Sequence, residues 1–290
     1  MTDNTNVATA TNTLPASSTS DAYALMKGKS HKSDFKKEDL GTPFIVIVQA
    51  ASGFAKRSDP AYIEGATEGD IIDTLTLKPR KRMAFIPAKY IVEYTEWENP
   101  PRDDRGNRPR GKLVKRWGED RSGYDAAKKF VHNGKEVDWG PREAPDGKTI
   151  INPAPTYVGL LLDESGTSLE AQLSLTGTQA KKSRRFNDLI NALEIKDPVS
   201  GEVSEAPMFA RIYQFTTVSE GDDSNTWMGW KIDPGPMVLD VTGGLSLFEK
   251  ASRLRDKVDV EGIKPMENAA TREATRSTAA EGAGTDNIPF

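Results

Sequence analysis

The stretch from Met83 to Trp97 limits what this chain can become more than any other. Ala84, Ile86, Ala88, Tyr90, Val92 and Tyr94 fall on one side of it, and Lys89, Glu93, Thr95 and Trp97 on the other. A period of two sustained over that length fits a half-buried antiparallel strand. Pro87 lacks a ladder donor, so a bulge or an edge position is expected there.

Further segments carry the same signature. Phe44-Ile45-Val46-Ile47-Val48-Gln49 is apolar on both faces, as a central strand requires. Thr156 to Asp163 and Leu169 to Thr176 read as a hairpin across Glu164-Ser165-Gly166-Thr167, with Leu169, Ala171, Leu173 and Leu175 facing inward. Gly65 and Gly69 punctuate turns without the spacing of a phosphate loop. Met208 to Val218 forms another strand, in which Phe209, Arg211, Tyr213 and Phe215 share a face. Thr226 to Ile232 follows, with Trp227 and Lys231 opposite Met228, Trp230 and Ile232.

Two helices interrupt the strands. One is expected from an N-cap at Thr178 to about Glu194, with Phe186, Leu189, Ile190 and Leu193 as its apolar stripe and Lys181, Lys182, Arg184 and Arg185 outside. The other spans about Leu245 to Val258 and turns Leu247, Ala251, Leu254 and Val258 inward. Strands nonetheless dominate, which makes the fold class α+β and mainly antiparallel β. Residues 1–40 form a polar leader, 41–260 the folded core and 261–290 a tail. Both ends have too little apolar surface to offset the entropy of ordering, so both are expected to be disordered.

Composition closes off several chemistries. The chain has no cysteine, which excludes disulfides, thiol catalysis and cysteine-bound metal, and only His31 and His132 could offer imidazole to a metal. No metal site or cofactor is expected. Its carboxylates are scattered among turns and strand ends, and no Ser/His/Asp order, nucleophile elbow or Walker motif is present, so no enzymatic activity is expected. The longest apolar runs are far below membrane-spanning length, and no signal-peptide pattern opens the chain. A soluble protein of a reducing cytoplasm fits these limits.

The net charge of -4 hides an uneven distribution. Between Lys78 and Arg121 thirteen basic residues stand against seven acids, a local excess of +6. That is an electrostatic footprint for a polyanion. Aromatic rings interleaved with cations are what single-strand binding needs, because exposed bases stack on rings while Lys and Arg follow the phosphates. The candidates are Phe209, Arg211, Tyr213 and Phe215, then Trp227 with Lys231, and Lys89, Trp97 and Trp117. Each ring has a second reading as a core residue; Arg211, costly to bury unpaired, draws its face toward solvent. The Pro- and Gly-rich stretch that supplies Arg102, Arg105, Arg108, Arg110, Lys112 and Lys115 reads as a cationic loop able to clamp a strand.

Two resemblances agree with this. The last residues, Asp286-Asn287-Ile288-Pro289-Phe290, place an apolar tip and a terminal carboxylate at the end of a polar tail. They resemble the carboxyl-terminal tip of bacterial single-stranded DNA-binding proteins, which ends Asp-Asp-Ile-Pro-Phe, with Asn287 here replacing one acid. Tyr62-Ile63-Glu64-Gly65-Ala66 with Gly69-Asp70, and Tyr90 to Trp97 followed by the basic loop, are similar to bacteriophage-encoded single-stranded DNA-binding proteins. The resemblance implies a partly closed barrel of the OB type with accessory helices. It also implies a core that coats single-stranded DNA in phage replication, recombination or repair, and a tip (Asp286, Ile288, Pro289 and Phe290) that recruits host or phage replication proteins. The alternative is a phage virion, scaffold or architectural protein that touches nucleic acid incidentally.

Overall fold

The computed structural model describes residues 41–101, 111–132, 135–137, 140–164, 166–197, 199–222 and 225–266. Its longest strand, β3 (Arg82–Glu98), pairs antiparallel with β8 (Thr149–Leu162), from Ala84 opposite Leu162 to Glu98 opposite Thr149. Around this pair runs one large sheet. Its order is β13 (Asn225–Met237), β12 (Arg211–Asp222), β3, β8, β9 (Ser168–Ser174), β1 (Phe44–Ile47) and β2 (Ile71–Asp73). β4 (Leu113–Gly118) adds to β3, and β7 (Arg142–Glu143) to β8. Every pairing in it is antiparallel except that of β1 with β9. Two hairpins lie outside this sheet: β5 (Phe130–His132) with β6 (Lys135–Val137), and β10 (Glu194–Lys196) with β11 (Val203–Glu205). The helices are α1 (Ser122–Ala126), α2 (Ala180–Asn191) and α3 (Gly244–Glu261). The chain is thus α+β with antiparallel strands dominant, as its periodicities imply.

Pro87 marks a bulge in β3, just past Phe85, where the pairing with β12 ends. Pro87 stands opposite Gly159 and Lys89 opposite Val158, leaving Ala88 as the extra residue. A Cβ on Gly159 would come 2.2 Å from the Ile86 carbonyl oxygen, so this approach requires glycine. One inserted residue exchanges the two faces beyond it. Tyr90 therefore joins Phe85 and Tyr157 on one face, and does not continue the Ile86 and Ala88 side as simple alternation would have it.

Each face of the sheet is buried by a helix. On one face Phe186 of α2 sits among the rings of Tyr157, Tyr213 and Phe215, with centroids 4.7, 4.8 and 5.5 Å away. Leu189 and Ile190 pack beside it, as their spacing implies. The Tyr157 hydroxyl donates to Asn187 Oδ1 at 2.7 Å, fixing the helix to β8. On the other face Leu247, Ala251, Leu254 and Val258 of α3 cover Ile86, Ala88, Val158 and Leu160. Central strands here are apolar on both sides because both sides are covered.

Two boundaries differ from the sequence expectation. Thr178 caps nothing: it lies within a 3-10 turn (Gly177–Gln179), and α2 opens at Ala180 without a side-chain cap. Met208–Ala210 likewise form a 3-10 turn, so β12 begins at Arg211. The leader and almost all of the tail lie outside the described residues.

The sheet curls into a half-barrel. Gln49, just beyond β1, donates its Nε2 to the Met228 carbonyl at 2.8 Å and accepts the Met228 N–H at 2.9 Å. Met228 belongs to β13, at the far end of the strand order, so one carboxamide substitutes for a ladder rung between distant strands. Thr217 Oγ1 adds a second tie, donating to the Gly69 carbonyl at 2.7 Å.

Candidate nucleic-acid interface

β3 is long enough to take two partners on the edge away from β8. Arg82 to Phe85 pair with β12, while Tyr94 to Trp97 pair with β4. β4 thereby carries a short cationic and aromatic run beside the end of β3. Lys115 is exposed, and its Nζ lies 3.2 Å from the centroid of the half-buried Trp117 ring. The indole also packs on Gly123, where a Cβ would meet the ring at 2.7 Å. Trp117 Nε1 donates to Glu96 Oε2 at 3.0 Å, and Thr149 Oγ1 holds the other carboxylate oxygen at 2.6 Å. The ring is therefore fixed in orientation, with an exposed cation over it. Arg116 lies on the same strand, 5.2 Å from the Phe44 ring, and Lys112 is exposed just ahead of it.

Beneath this run is a second aromatic cluster. Tyr94 and Tyr124 lie 5.0 Å apart, and the guanidinium of the buried Arg142 stacks 3.9 Å from the Tyr124 centroid. Burial raises the Tyr124 phenol above its ordinary pKa, against the pull of Arg142. Arg142 escaped sequence reading because a lone arginine in a two-residue strand leaves no periodic signal. Glu93 is also buried here. Desolvation raises its carboxyl above the ordinary range, while Arg116 and a 3.3 Å bond donated by Thr156 act in the opposite direction.

The remaining candidates are dispersed, and four of the rings, Phe209, Tyr213, Phe215 and Trp97, are buried. Tyr213 and Phe215 are 0% exposed and line the interior around Phe186, so neither presents a ring to a base. Tyr213 and Phe215 share a face as alternation implies, but Phe209 packs with Ile212 on the α3 side and does not share it. A register shift between Arg211 and Tyr213 separates the half-buried Arg211 at the start of β12 from the sealed rings beyond it. Phe209 is buried as well, edge-on to Phe248. Trp97 is nearly covered, with its Nε1 on Thr95 Oγ1 at 3.0 Å. Lys89 faces α3, where its Nζ pairs with Asp259 at 2.5 Å. On β13, Trp227 is half-buried and donates to Glu220, and the exposed Lys231 pairs with Asp233 at 3.1 Å. Lys182 turns away from the exposed Lys181, Arg184 and Arg185 and toward the sheet, bonding Glu220 and the Trp230 carbonyl.

The structure thus brings Lys115 and Trp117 together beside Glu96, with the exposed Lys112 just ahead of them in the chain. Arg102, Arg105, Arg108 and Arg110, which the sequence inserts between β3 and β4, lie outside the described residues, as do Asp286, Ile288, Pro289 and Phe290. Among the described residues no group of three or more His, Asp or Glu could hold a metal, and no helix is long and apolar enough to cross a membrane.

No curated protein and no solved structure matches the chain. A family model does: that of the Pam3 phage gp34-like protein, over residues 10–264. With most of its length inside that match, the chain belongs to the Pam3 phage gp34-like protein family.

Proposed function

We propose that this chain binds single-stranded DNA without sequence preference, in phage replication or recombination, through the surface that β4 builds at the end of β3. The observation that carries it is the Lys115 ammonium seated on the Trp117 ring. A base arriving at that face exchanges one favourable ring contact for another, at about 1–3 kcal/mol per stacked base, and releases the ammonium toward the phosphate. Lys112 and Arg116 extend the same strand of charge, and Arg102, Arg105, Arg108 and Arg110 adjoin it in sequence.

The finer architecture belongs to the same proposal: the curled sheet is an OB-type barrel, partly closed through Gln49 and Met228, that carries its ligand on an outer strand pair. Asp286, Ile288, Pro289 and Phe290 recruit replication proteins, and the site of action is the bacterial cytoplasm. No cofactor or catalytic step is required.

Anisotropy of labelled oligo-dT against a duplex of equal length tests this at low salt. Tight single-strand binding with weaker duplex binding is expected. No single-strand binding overturns the proposal, and equal affinities assign the chain to the architectural or scaffold class.

A further inference from the structure

The outer side of α2 carries Lys181, Arg184 and Arg185 at i, i+3 and i+4, so the three cations are neighbours on one stripe, and all are exposed. Among the described residues none of them takes part in a hydrogen bond or an ion pair. The fourth cation of the helix, Lys182, turns to the sheet and bonds Glu220 and the Trp230 carbonyl. Like charges at these spacings weaken a helix, and a cation in the first turn opposes the helix dipole. α2 has neither an acid in that turn nor a side-chain cap to offset them. Its single acid, Asp188, lies a turn further on.

The outer face of α3 is built differently. There Arg253 pairs with Glu249 at 3.8 Å, Arg255 with Asp259 at 3.9 Å and Lys257 with Glu170 at 2.8 Å. A face that only has to be soluble is served by such mixed charge. A run of unpaired cations that costs its own helix stability is accounted for by an anionic ligand.

α2 also lies on the same side of the sheet as the indole on β4. β3 pairs with β8 without a shift from Lys89 to Glu98, so Tyr90, Val92, Tyr94 and Glu96 share a face. At one end Tyr90 rests 5.1 Å from Tyr157, whose hydroxyl bonds Asn187 of α2. At the other, Glu96 holds the Trp117 indole. From Tyr90 to Glu96 the strand runs about 20 Å.

We infer that single-stranded DNA lying over Trp117 continues onto the outer face of α2, where Lys181, Arg184 and Arg185 take its phosphates. The inference rests on the strand-binding reading above and extends its footprint to a second element. Contacts to phosphate carry no sequence information, in keeping with binding that ignores sequence.

The salt dependence of binding to oligo-dT of about 16 nucleotides, the upper end of the site size of one OB-type domain, tests it in the full chain. K181A/R184A/R185A should lower the slope of log K against log salt by about 2, three phosphates at about 0.7 each. R184K/R185K, which keeps both charges, should keep the slope. The alanine variant relieves like-charge repulsion, so its thermal stability should equal or exceed that of wild type. R253A/K257A, which removes cations that already have acid partners, should leave the slope unchanged. A slope untouched by K181A/R184A/R185A, or lowered as much by R253A/K257A, would overturn the inference, while K112A/K115A still reports separately on β4. Absence of binding by wild type would overturn the strand-binding reading and this inference with it.

Discussion

Gln49 and Met228 are 179 residues apart in sequence, yet the carboxamide of one makes both backbone hydrogen bonds of the other. Each bond fixes the other's geometry, so the segment after β1 is aligned with β13 as a strand would be. Gln49→Ala leaves the Met228 N–H and C=O without these partners in a partly buried place. A loss of about 1–3 kcal/mol is expected by urea unfolding. Gln49→Glu keeps an acceptor for the Met228 N–H but sets a carboxylate oxygen against the Met228 carbonyl, so at neutral pH it should not recover the stability lost in Gln49→Ala.

Phe186 supplies the only ring that α2 places among Tyr157, Tyr213 and Phe215. Phe186→Ala should cost about 3–5 kcal/mol, because the surrounding rings belong to several strands and have little freedom to collapse into the space. Thermal unfolding monitored by near-ultraviolet circular dichroism reads both the lost stability and the loosened aromatic packing.

Much of this interior is legible in the sequence. The stripe Phe186, Leu189 and Ile190 names the buried side of α2, with Leu193 buried just past its end, and Leu247, Ala251, Leu254 and Val258 name that of α3, since a helix facing a sheet must repeat its apolar residues every turn. Face assignment is harder for strands. Alternation groups Tyr213 with Phe215 but is silent on which side is inside, and a single arginine at the strand start pointed the wrong way. The bulge at Pro87 was signalled by the missing donor, whereas its effect, moving Tyr90 across the sheet, depends on Ala88 being the inserted residue. Gln49 carries no signal at all, because its partner is fixed only once the sheet has curled. Lys115 and Trp117, separated by one residue on β4, are the part of the candidate site that local sequence does indicate.

Glu93 makes stability depend on pH in a defined direction. Its folded-state pKa is raised above the ordinary 4.5, chiefly by desolvation, although Arg116 and Thr156 act against the rise and Glu119 with it. The folded protein thus holds this proton more tightly than the unfolded chain. The contribution is fully present below pH 4.5 and is lost as the pH climbs through the raised value. Glu93→Gln, unable to ionise, should gain stability over wild type at pH 8 and show a smaller difference at pH 4. A constant difference across that range would contradict the assignment.

Removal of Ile288, Pro289 and Phe290 should leave single-strand affinity equal or higher, because these residues are assigned to partner proteins and not to DNA. Anisotropy with the same oligo-dT reads the change. A marked fall in affinity would move the tip into the DNA-binding surface.

The salt dependence of oligo-dT binding is the most direct test of the surface on β4. Each phosphate neutralised on a single strand contributes a slope of about 0.7 in log K against log salt. Wild type should show a slope of several such units, K112A/K115A should reduce it by about 1.4, and Trp117→Ala should lower affinity with little change of slope. Lys89→Ala, whose ammonium already pairs with Asp259, should leave the slope unchanged. A wild-type slope near zero, or one untouched by K112A/K115A, would contradict the assignment of single-strand binding to this strand.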